Sequence, residues 1–330
     1  MHPIERKLRI ASTPFLTECK MLVLTDKKLN ETEFSKDVKV IKLNSCAELK
    51  NYSGSADVVA LCGSRAMAIT AEKMDFPSMK LVQLTSAGFD GVPLAEYAKR
   101  GIPVCNAGSV YSAPMAETIV FGMLQFAKRY RKNPNNRRFK LLRKYSLITE
   151  LADKKVLIMG AGNIGTAVAD RLKGFSMHID GYDIFDVKKP QYEKMLHTRD
   201  ELINNIGNYE YIVCTLPDND DTRGFFDKEI FMSMNKNTVI INVGRRAVFN
   251  ENDFYTALKN KVIGGAVLDM FEKVPNPITN KFRRLSNTVI LPGVAAISQE
   301  LNVRLRDLMT ENVKAAIEGR PLSFIVNSVK

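Results

Sequence analysis

Short apolar runs alternate with amphipathic stretches along most of the chain. Short apolar runs bounded by glycine or polar turns are typical of buried parallel strands, and longer stretches of 3.6-residue periodicity are typical of helices. The alternation predicts an α/β protein built on parallel sheets. The predicted strands are 21–25, 58–61, 81–84, 101–104, 156–159, 178–182, 211–215, 238–243, 263–269 and 288–291, and the predicted helices include 94–99, 113–130, 166–173, 251–259 and 299–318.

A glycine-rich hexapeptide, Gly160–Gly165, joins a predicted strand to a predicted helix. Gly160 permits a tight turn, Gly162 lets the backbone approach a pyrophosphate, and Gly165 lets helix and strand pack closely. Asp183 ends the next strand, where it can accept hydrogen bonds from a ribose 2′-hydroxyl and would repel a 2′-phosphate. A glycine turn in another α/β fold is the alternative, but the strand, the helix and the aspartate together favour a dinucleotide-binding site. The aspartate favours NAD over NADP as the coenzyme.

The dinucleotide-binding pattern lies inside the chain, with further strands and helices before it and a helix after it. We therefore expect residues 113–295 to form a Rossmann-type NAD-binding domain with a six-stranded doubly wound sheet. The flanks, 1–112 and 296–330, would join into one discontinuous substrate domain. Substrate would bind in the cleft between the two domains, at the carboxyl ends of the strands.

Length and composition are compatible with two such domains. The chain has 330 residues, of which 45% are hydrophobic and 25% charged, as in ordinary globular proteins. No apolar run approaches the roughly 20 residues of a membrane span, and the polar, basic N-terminus lacks the apolar core of a signal peptide. We predict no membrane association and no metal site. An odd, dispersed set of cysteines suggests buried, reduced thiols in a cytoplasmic protein: Cys19, Cys46, Cys62, Cys105 and Cys214.

Much of the net charge of +12 lies in one segment. Nine basic residues, with no acidic residue between them, lie between Lys128 and Lys144. Such a segment can bind nucleic acid, an anionic metabolite or an acidic partner. A solvated helix end or part of a subunit interface is the favoured interpretation, because aromatic residues for base stacking are few.

The order of motifs resembles that of the D-isomer-specific 2-hydroxyacid dehydrogenases, which include phosphoglycerate and glycerate dehydrogenases. The resemblance extends from about Val58 to the C-terminus. It implies a Rossmann domain inserted into a flavodoxin-like substrate domain. The stretches that carry it are Ser86–Asp90, Gly101–Asn106, Ala116-Glu117, Leu216-Pro217 with Thr222, Ile241–Arg245 and Gly265–Phe271.

The resemblance also implies roles for individual residues. Arg245 corresponds to the family's catalytic arginine, which grips the carboxylate and the keto oxygen of the substrate. Ala87 and Gly88 lie in the loop whose backbone N–H groups hold the substrate carboxylate. Arg65 lies in a loop that faces substrate in relatives and could grip a larger anionic group. The cofactor-binding candidates are Gly160, Gly162, Asn163, Ile164, Gly165, Asp183, Thr215, Leu216, Pro217, Thr222, Val243 and Asp269.

The sequence departs from the family at the acid–base pair. A histidine normally protonates the keto oxygen, and a glutamate raises the pKa of that histidine. Val274 occupies the glutamate position and Gly293 the histidine position. No histidine follows His197, so no shift of the alignment restores one. Glu272 is a possible but disfavoured substitute carboxylate.

Two arginines have open interpretations. Arg246 stands where the family usually has glycine, and it would either crowd the cleft, add an anion contact or point outward as a surface residue. Arg65 could equally be an ordinary surface arginine.

Two functions compete on these observations. The first is an NAD-dependent oxidoreductase acting on the CH–OH group of a small anionic 2-hydroxy acid or on a 2-keto acid, with water, Lys273 or Tyr111 as the altered proton donor. The alternative is a non-catalytic NAD(H)-binding sensor, regulator or scaffold. The resemblance implies a homodimer, and nucleic acid binding is the weakest hypothesis.

Overall fold

The computed structural model describes residues 20–129, 148–186, 188–269, 280–291 and 293–327. Its strands are β1 Met21–Thr25, β2 Val38–Lys42, β3 Val58–Gly63, β4 Leu81–Leu84, β5 Val104–Cys105, β6 Lys155–Met159, β7 His178–Tyr182, β8 Lys194–Leu196, β9 Tyr211–Cys214, β10 Val239–Asn242, β11 Gly265–Leu268 and β12 Thr288–Ile290. Its α-helices are α1 Arg65–Glu72, α2 Leu94–Lys99, α3 Gly108–Ala127, α4 Asn163–Lys173, α5 Arg199–Asn205, α6 Lys228–Ser233, α7 Glu251–Lys259 and α8 Leu301–Glu318.

The described residues divide into two compact units. The first contains the residues up to Ala107 together with those from Val303 onward, and the second runs from Gly108 to Asn302. The domain boundaries expected from the sequence, 112/113 and 295/296, lie a few residues from these divisions.

The first unit is built on five parallel strands in the order β2-β1-β3-β4-β5. This is the flavodoxin-like order, in which the strand order reverses beside β1. Strands β3 and β4 are buried along their whole length because their apolar runs face packed layers on both sides. Helix α8 is tied to this sheet by Asn312, whose Nδ2 donates to Oε1 of the buried Gln83 at 2.6 Å.

The second unit is built on seven parallel strands in the order β12-β11-β10-β9-β6-β7-β8. Read from β8, this is the Rossmann order with one additional strand at the far edge. The fold class expected from the sequence, a doubly wound α/β architecture, is confirmed. Strands β6 and β9 are neighbours at the point where the order reverses. The loops that follow their carboxyl ends therefore lie together, which is where such sheets bind ligands.

Three details of the strand prediction are wrong. The second sheet has seven strands and not six, because the short edge strand β8 carries no apolar run. Edge strand β2 was not predicted, since its sequence VKVIK alternates with lysines. The predicted strand 101–104 is a turn leading into β5, because Gly101 has a φ of +68° and Pro103 has no N–H for a ladder.

The four described cysteines are free thiols, and three of them are buried. Burial raises the pKa of Cys62 well above its usual range, and it raises the pKa of Cys105 and of Cys214 to about 12. Thiols with such pKa values stay protonated and unreactive at neutral pH, as structural cysteines do. Cys19 lies outside the described residues. No helix in the described part of the chain is both long and apolar enough to cross a membrane.

Candidate coenzyme and substrate site

The glycine-rich turn connects β6 to α4 at the carboxyl edge of the second sheet. Gly160 has a φ of +99°, a left-handed conformation that favours glycine. A Cβ on Gly165 would lie 2.0 Å from the carbonyl oxygen of Gly160, so only glycine lets the helix come this close to the turn. At Gly162, the N-cap of α4, a Cβ would meet nothing within 4 Å. The turn thus leaves open space beside the first N–H groups of α4, where a phosphate can bind.

The carboxylate of Asp183, just beyond β7, is hydrogen-bonded to the glycine turn. Its Oδ2 accepts from the N–H of Ala161 at 2.9 Å, and its Oδ1 accepts from the N–H of Phe185 at 3.1 Å. An ionised carboxylate has about four acceptor positions, so both oxygens retain lone pairs. Asp183 can therefore accept further hydrogen bonds from ribose hydroxyls beside the turn.

The loop after β9 is fixed against the same turn. The hydroxyl of Thr215 lies within hydrogen-bonding distance of the carbonyl oxygens of Met159 and Gly160, at 3.1 and 3.0 Å. The hydroxyl of Thr222 donates to the carbonyl of Pro217 at 2.7 Å. Thr215 thus joins the end of β9 to the glycine turn, and Thr222 closes the loop on itself.

Arg245 follows β10 on a turn that Asn242 holds in place. The buried Asn242 side chain accepts from the N–H of Gly244 at 3.0 Å and donates to the carbonyl of Arg245 at 3.4 Å. The Arg245 side chain is half-buried. Leu216 and Val243 are buried apolar residues, so contact with a polar coenzyme would come from their backbone.

Arg246 pairs with residues of its own unit. Its guanidinium forms an ion pair with Glu251, and Lys281 lies 3.0 Å from the other oxygen of that carboxylate. Burial by itself would raise the pKa of Glu251, but hydrogen bonds from Lys281 and Arg246 bring this pKa below its usual value. These contacts match the outward, surface interpretation of Arg246.

Asp269, just after β11, is buried and anchors the segment that follows β12. Its Oδ1 accepts from the N–H groups of Gly293 and Val294, and its Oδ2 accepts from the N–H of Ala295, each at 3.0 Å. Gly293 has a φ of +79°, in the left-handed region that residues with side chains rarely adopt. Gly293, which the sequence comparison predicts to stand at the histidine position, therefore lies in a backbone conformation suited to glycine.

The candidate carboxylate loop of the first unit follows β4. The hydroxyl of Ser86 donates to the carbonyl of Gly88 at 2.6 Å, and Nδ2 of Asn106 donates to the carbonyl of Ala87 at 2.8 Å. Both carbonyls therefore accept hydrogen bonds from side chains of the same unit. The N–H groups of Ala87 and Gly88 have no hydrogen-bond partner within the described part of the chain. They are available to an anionic ligand.

Arg65 begins helix α1 in the same unit. Its Nη1 lies 2.8 Å from Oδ2 of Asp90, which belongs to the carboxylate loop. Both side chains are partly exposed. The ion pair joins the loop after β3 to the loop after β4, and an anionic ligand would compete with Asp90 for this arginine.

The structure therefore brings the predicted residues together in two groups. Arg65, Ala87 and Gly88 belong to the first unit, and Arg245 belongs to the second with all the coenzyme-binding candidates. Glu272, Lys273 and Val274 lie outside the described residues. So does most of the basic segment. Its first residue, Lys128, donates to the carbonyl of Thr149 at 3.0 Å.

Tyr111 is the one proposed proton donor among the described side chains, and the two described histidines lie beside oxygen acceptors. Tyr111 in α3 is half-buried, and burial raises its pKa above the usual value, which makes it a weaker acid. His178 lies 3.1 Å from a carboxylate oxygen of Glu193, and Nδ1 of His197 lies 2.8 Å from the carbonyl of Asp183. No cluster of three or more potential metal ligands occurs among the described residues.

Two contacts that support the site were not predicted from the sequence, those of Asn242 and of Asp90. Asn242 could have been recognised, because an asparagine two residues before a glycine at a strand end commonly forms a turn with its own backbone. Asp90 could not, since its pairing with Arg65 depends on the folded positions of two loops.

The fold and the glycine turn define a Rossmann-type dinucleotide-binding protein. The sequence profile described as D-isomer specific 2-hydroxyacid dehydrogenase, NAD binding domain, matches residues 118–295, which is more than half of the chain. The chain belongs to this family, whose members are NAD(P)-dependent oxidoreductases.

Individual relatives agree with this assignment. Glyoxylate/hydroxypyruvate reductase HPR3 of Arabidopsis thaliana is 27% identical over 82% of this chain and 83% of its own length. The glyoxylate reductase of Thermofilum pendens is 30% identical over 78% of each chain. Among solved structures, an NADPH-dependent glyoxylate/hydroxypyruvate reductase from Sinorhizobium meliloti, in complex with NADP and malonate, superposes with a TM-score of 0.72. It is 24% identical, over 93% of this chain and 97% of the other, a similarity that shows the fold.

Proposed function

We propose that this protein is an NAD-dependent oxidoreductase that interconverts a small 2-hydroxy acid and the corresponding 2-keto acid. The observation that carries the proposal is the hydrogen bond from Ala161 to Asp183 across an open glycine turn, with Arg245 after another strand of the same sheet. The names of the relatives support the same substrate class.

The second unit's residues fit a nicotinamide dinucleotide. The first N–H groups of α4, at Asn163 and Ile164, would hold the pyrophosphate, and Asp183 would bind the adenosine ribose. The negative charge of Asp183 supports NAD over NADP. When bound, the nicotinamide would supply or accept the hydride.

Arg245 would bind the acid substrate. Its planar guanidinium offers parallel donors to a carboxylate and can also polarise the keto oxygen. In the first unit, the N–H groups of Ala87 and Gly88 would bind a substrate carboxylate, and Arg65 would meet a further anionic group on a larger substrate.

We propose that the proton donor is not a histidine. Gly293 has no side chain to donate, and Val274 replaces the glutamate that would tune one. Loss of a positioned general acid costs about 10²- to 10⁴-fold in rate, so turnover would be slow. Water, Lys273 or Tyr111 would protonate the keto oxygen instead.

A second function is favoured by the segment at Gly293. The N–H groups of Gly293, Val294 and Ala295 are bound to Asp269, and Gly293 offers no side chain for proton transfer. A protein that binds NAD(H) and a 2-keto acid without converting them would act as a sensor, regulator or scaffold. We further propose a cytoplasmic homodimer, in which α3 packs across the two-fold axis.

The proposal is tested by following NADH absorbance with glyoxylate, hydroxypyruvate and larger 2-keto acids. We expect Arg245→Ala to lower kcat/KM by about 10²- to 10³-fold while NADH still binds, because the lost donors act on developing charge. Arg246→Ala is the matched control and should stay within a few-fold of the wild type, since Arg246 pairs with Glu251. Equal activity of wild type and Arg245→Ala would contradict the role of Arg245. NADH binding without turnover on any acid would favour the second function.

A further inference from the structure

Lys189 lies on the loop after β7, close to the glycine turn. Its ammonium group donates to the carbonyl oxygen of Ala161 at 2.7 Å and lies 2.7 Å from the hydroxyl oxygen of Thr166. The side chain is half-buried. An ammonium has three donors, so these two contacts leave one N–H for another acceptor.

The same residue of the turn contacts both Lys189 and Asp183. The N–H of Ala161 donates to Asp183 at 2.9 Å, while its carbonyl accepts from Lys189. The Asp183 carboxylate thus binds the N–H of Ala161, and the Lys189 ammonium binds the carbonyl of the same residue. Both charges therefore lie at the glycine turn, and partial burial of Lys189 limits the screening of its charge by salt.

The Lys189 ammonium changes the coenzyme preference that Asp183 alone would predict. A carboxylate beside the ribose repels a 2′-phosphate, whereas an ammonium at the same turn attracts it. We propose that Lys189 determines coenzyme selectivity, because it offsets the repulsion from Asp183 and lets the protein bind NADPH measurably beside its preferred NADH. This inference rests on the proposed coenzyme site in the second unit.

Lys188 provides a matched control on the same loop. Its side chain is exposed, and its ammonium lies 4.0 Å from a carboxylate oxygen of Asp186. It carries the same charge as Lys189 and differs by one position. A general effect of loop charge would therefore appear in both variants, and a specific effect only in one.

The test measures the Kd of NADH and of NADPH by nucleotide fluorescence for the wild type, Lys189→Met and Lys188→Met. We expect Lys189→Met to raise the NADPH Kd about five- to tenfold and to change the NADH Kd less than threefold, because methionine keeps most of the stem and removes the charge. Lys188→Met should leave both values nearly unchanged. In the wild type, added KCl should weaken NADPH binding more than NADH binding.

The ratio of the two Kd values separates selectivity from a structural role. An equal loss for both nucleotides in Lys189→Met would mean that Lys189 only holds the glycine turn, and it would overturn the proposal. NADH binding with no detectable NADPH binding in the wild type would overturn it as well. If neither nucleotide binds, the proposed coenzyme site itself fails. Should Lys189→Met not fold, equal salt dependence of the two wild-type Kd values would decide against the proposal.

Discussion

At the scale of single residues, the glycines of the coenzyme turn have different physical tasks. Gly165 is required by packing, since a Cβ there would overlap the Gly160 carbonyl. Gly160 is required by its left-handed backbone. Gly162 is required by neither, because it has an ordinary φ and open space around it. Its proposed task is to leave that space for a phosphate.

The two glycines that flank the start of α4 should respond differently to alanine. Gly165→Ala should destabilise the fold by about 1–3 kcal/mol, because the helix must move away from the turn. For a domain of this size that corresponds to a fall in Tm of roughly 2–4 °C per kcal/mol. Gly162→Ala should leave Tm nearly unchanged while weakening NADH binding. Thermal unfolding and NADH titration of both variants check this, and equal Tm losses would contradict the packing argument.

Much of the site could be predicted at the residue scale, and the rest depends on tertiary contacts. The glycine turn, with Asp183 at the next strand end, has a fixed local spacing, so the sequence predicts both. The pairing of Arg246 with Glu251 and Lys281 could not be predicted, because the partners come from separate segments. Lys189 is likewise connected to Ala161 only through the fold.

At the scale of elements, the sequence predicts the buried central strands of the sheets, whereas it does not predict edge strands β2 and β8. The central strands β6, β9 and β10 are apolar runs buried on both faces, and their sequences show it. Edge strand β2 alternates apolar residues with lysines, and edge strand β8 has only three residues. Helix α3 begins at Gly108, five residues before the predicted start at Ala113, and Pro114 lies inside it.

The contact between α7 and the turn after β10 should depend on pH. The pKa of Glu251 is lower in the folded protein than its unfolded value of about 4.3. Such a carboxyl stabilises the fold above the unfolded pKa and loses that contribution as the pH falls through the folded pKa. Glu251→Gln should therefore be less stable than the wild type at pH 7 and no less stable near pH 3.

Denaturant unfolding of both proteins across this pH range measures the difference. We expect at most about 1 kcal/mol at pH 7, since the cluster is partly exposed and screened. A constant difference between the two proteins at every pH would show that the substitution acts through packing and not through charge.

At the scale of the whole molecule, the proposed homodimer makes α3 an interface helix. Phe121 on α3 is 54% exposed, which is unusual for a phenylalanine on a helix that is otherwise largely buried. Phe121→Glu should convert the dimer to a monomer, because a charge would be buried without a partner. Met232→Glu is the control, since Met232 on α6 is 62% exposed and lies on another helix.

Sedimentation equilibrium over a range of concentrations distinguishes the two states. A dimer for the wild type and Met232→Glu, with a monomer for Phe121→Glu, is the expected result. A monomeric wild type, or a Phe121→Glu protein that remains dimeric, would contradict the proposed interface.

The measurement that tests the central claim most directly is isotope transfer from the coenzyme to a substrate. NADH deuterated at C4 of the nicotinamide is incubated with glyoxylate or hydroxypyruvate, and the 2-hydroxy acid product is analysed by mass spectrometry, with Arg245→Ala in parallel. An oxidoreductase with a weak proton donor should place deuterium on C2 of the product, slowly in the wild type and at least about 10²-fold more slowly without Arg245. Bound NADH that transfers no deuterium to either acid would contradict the account and favour a binding protein without catalysis.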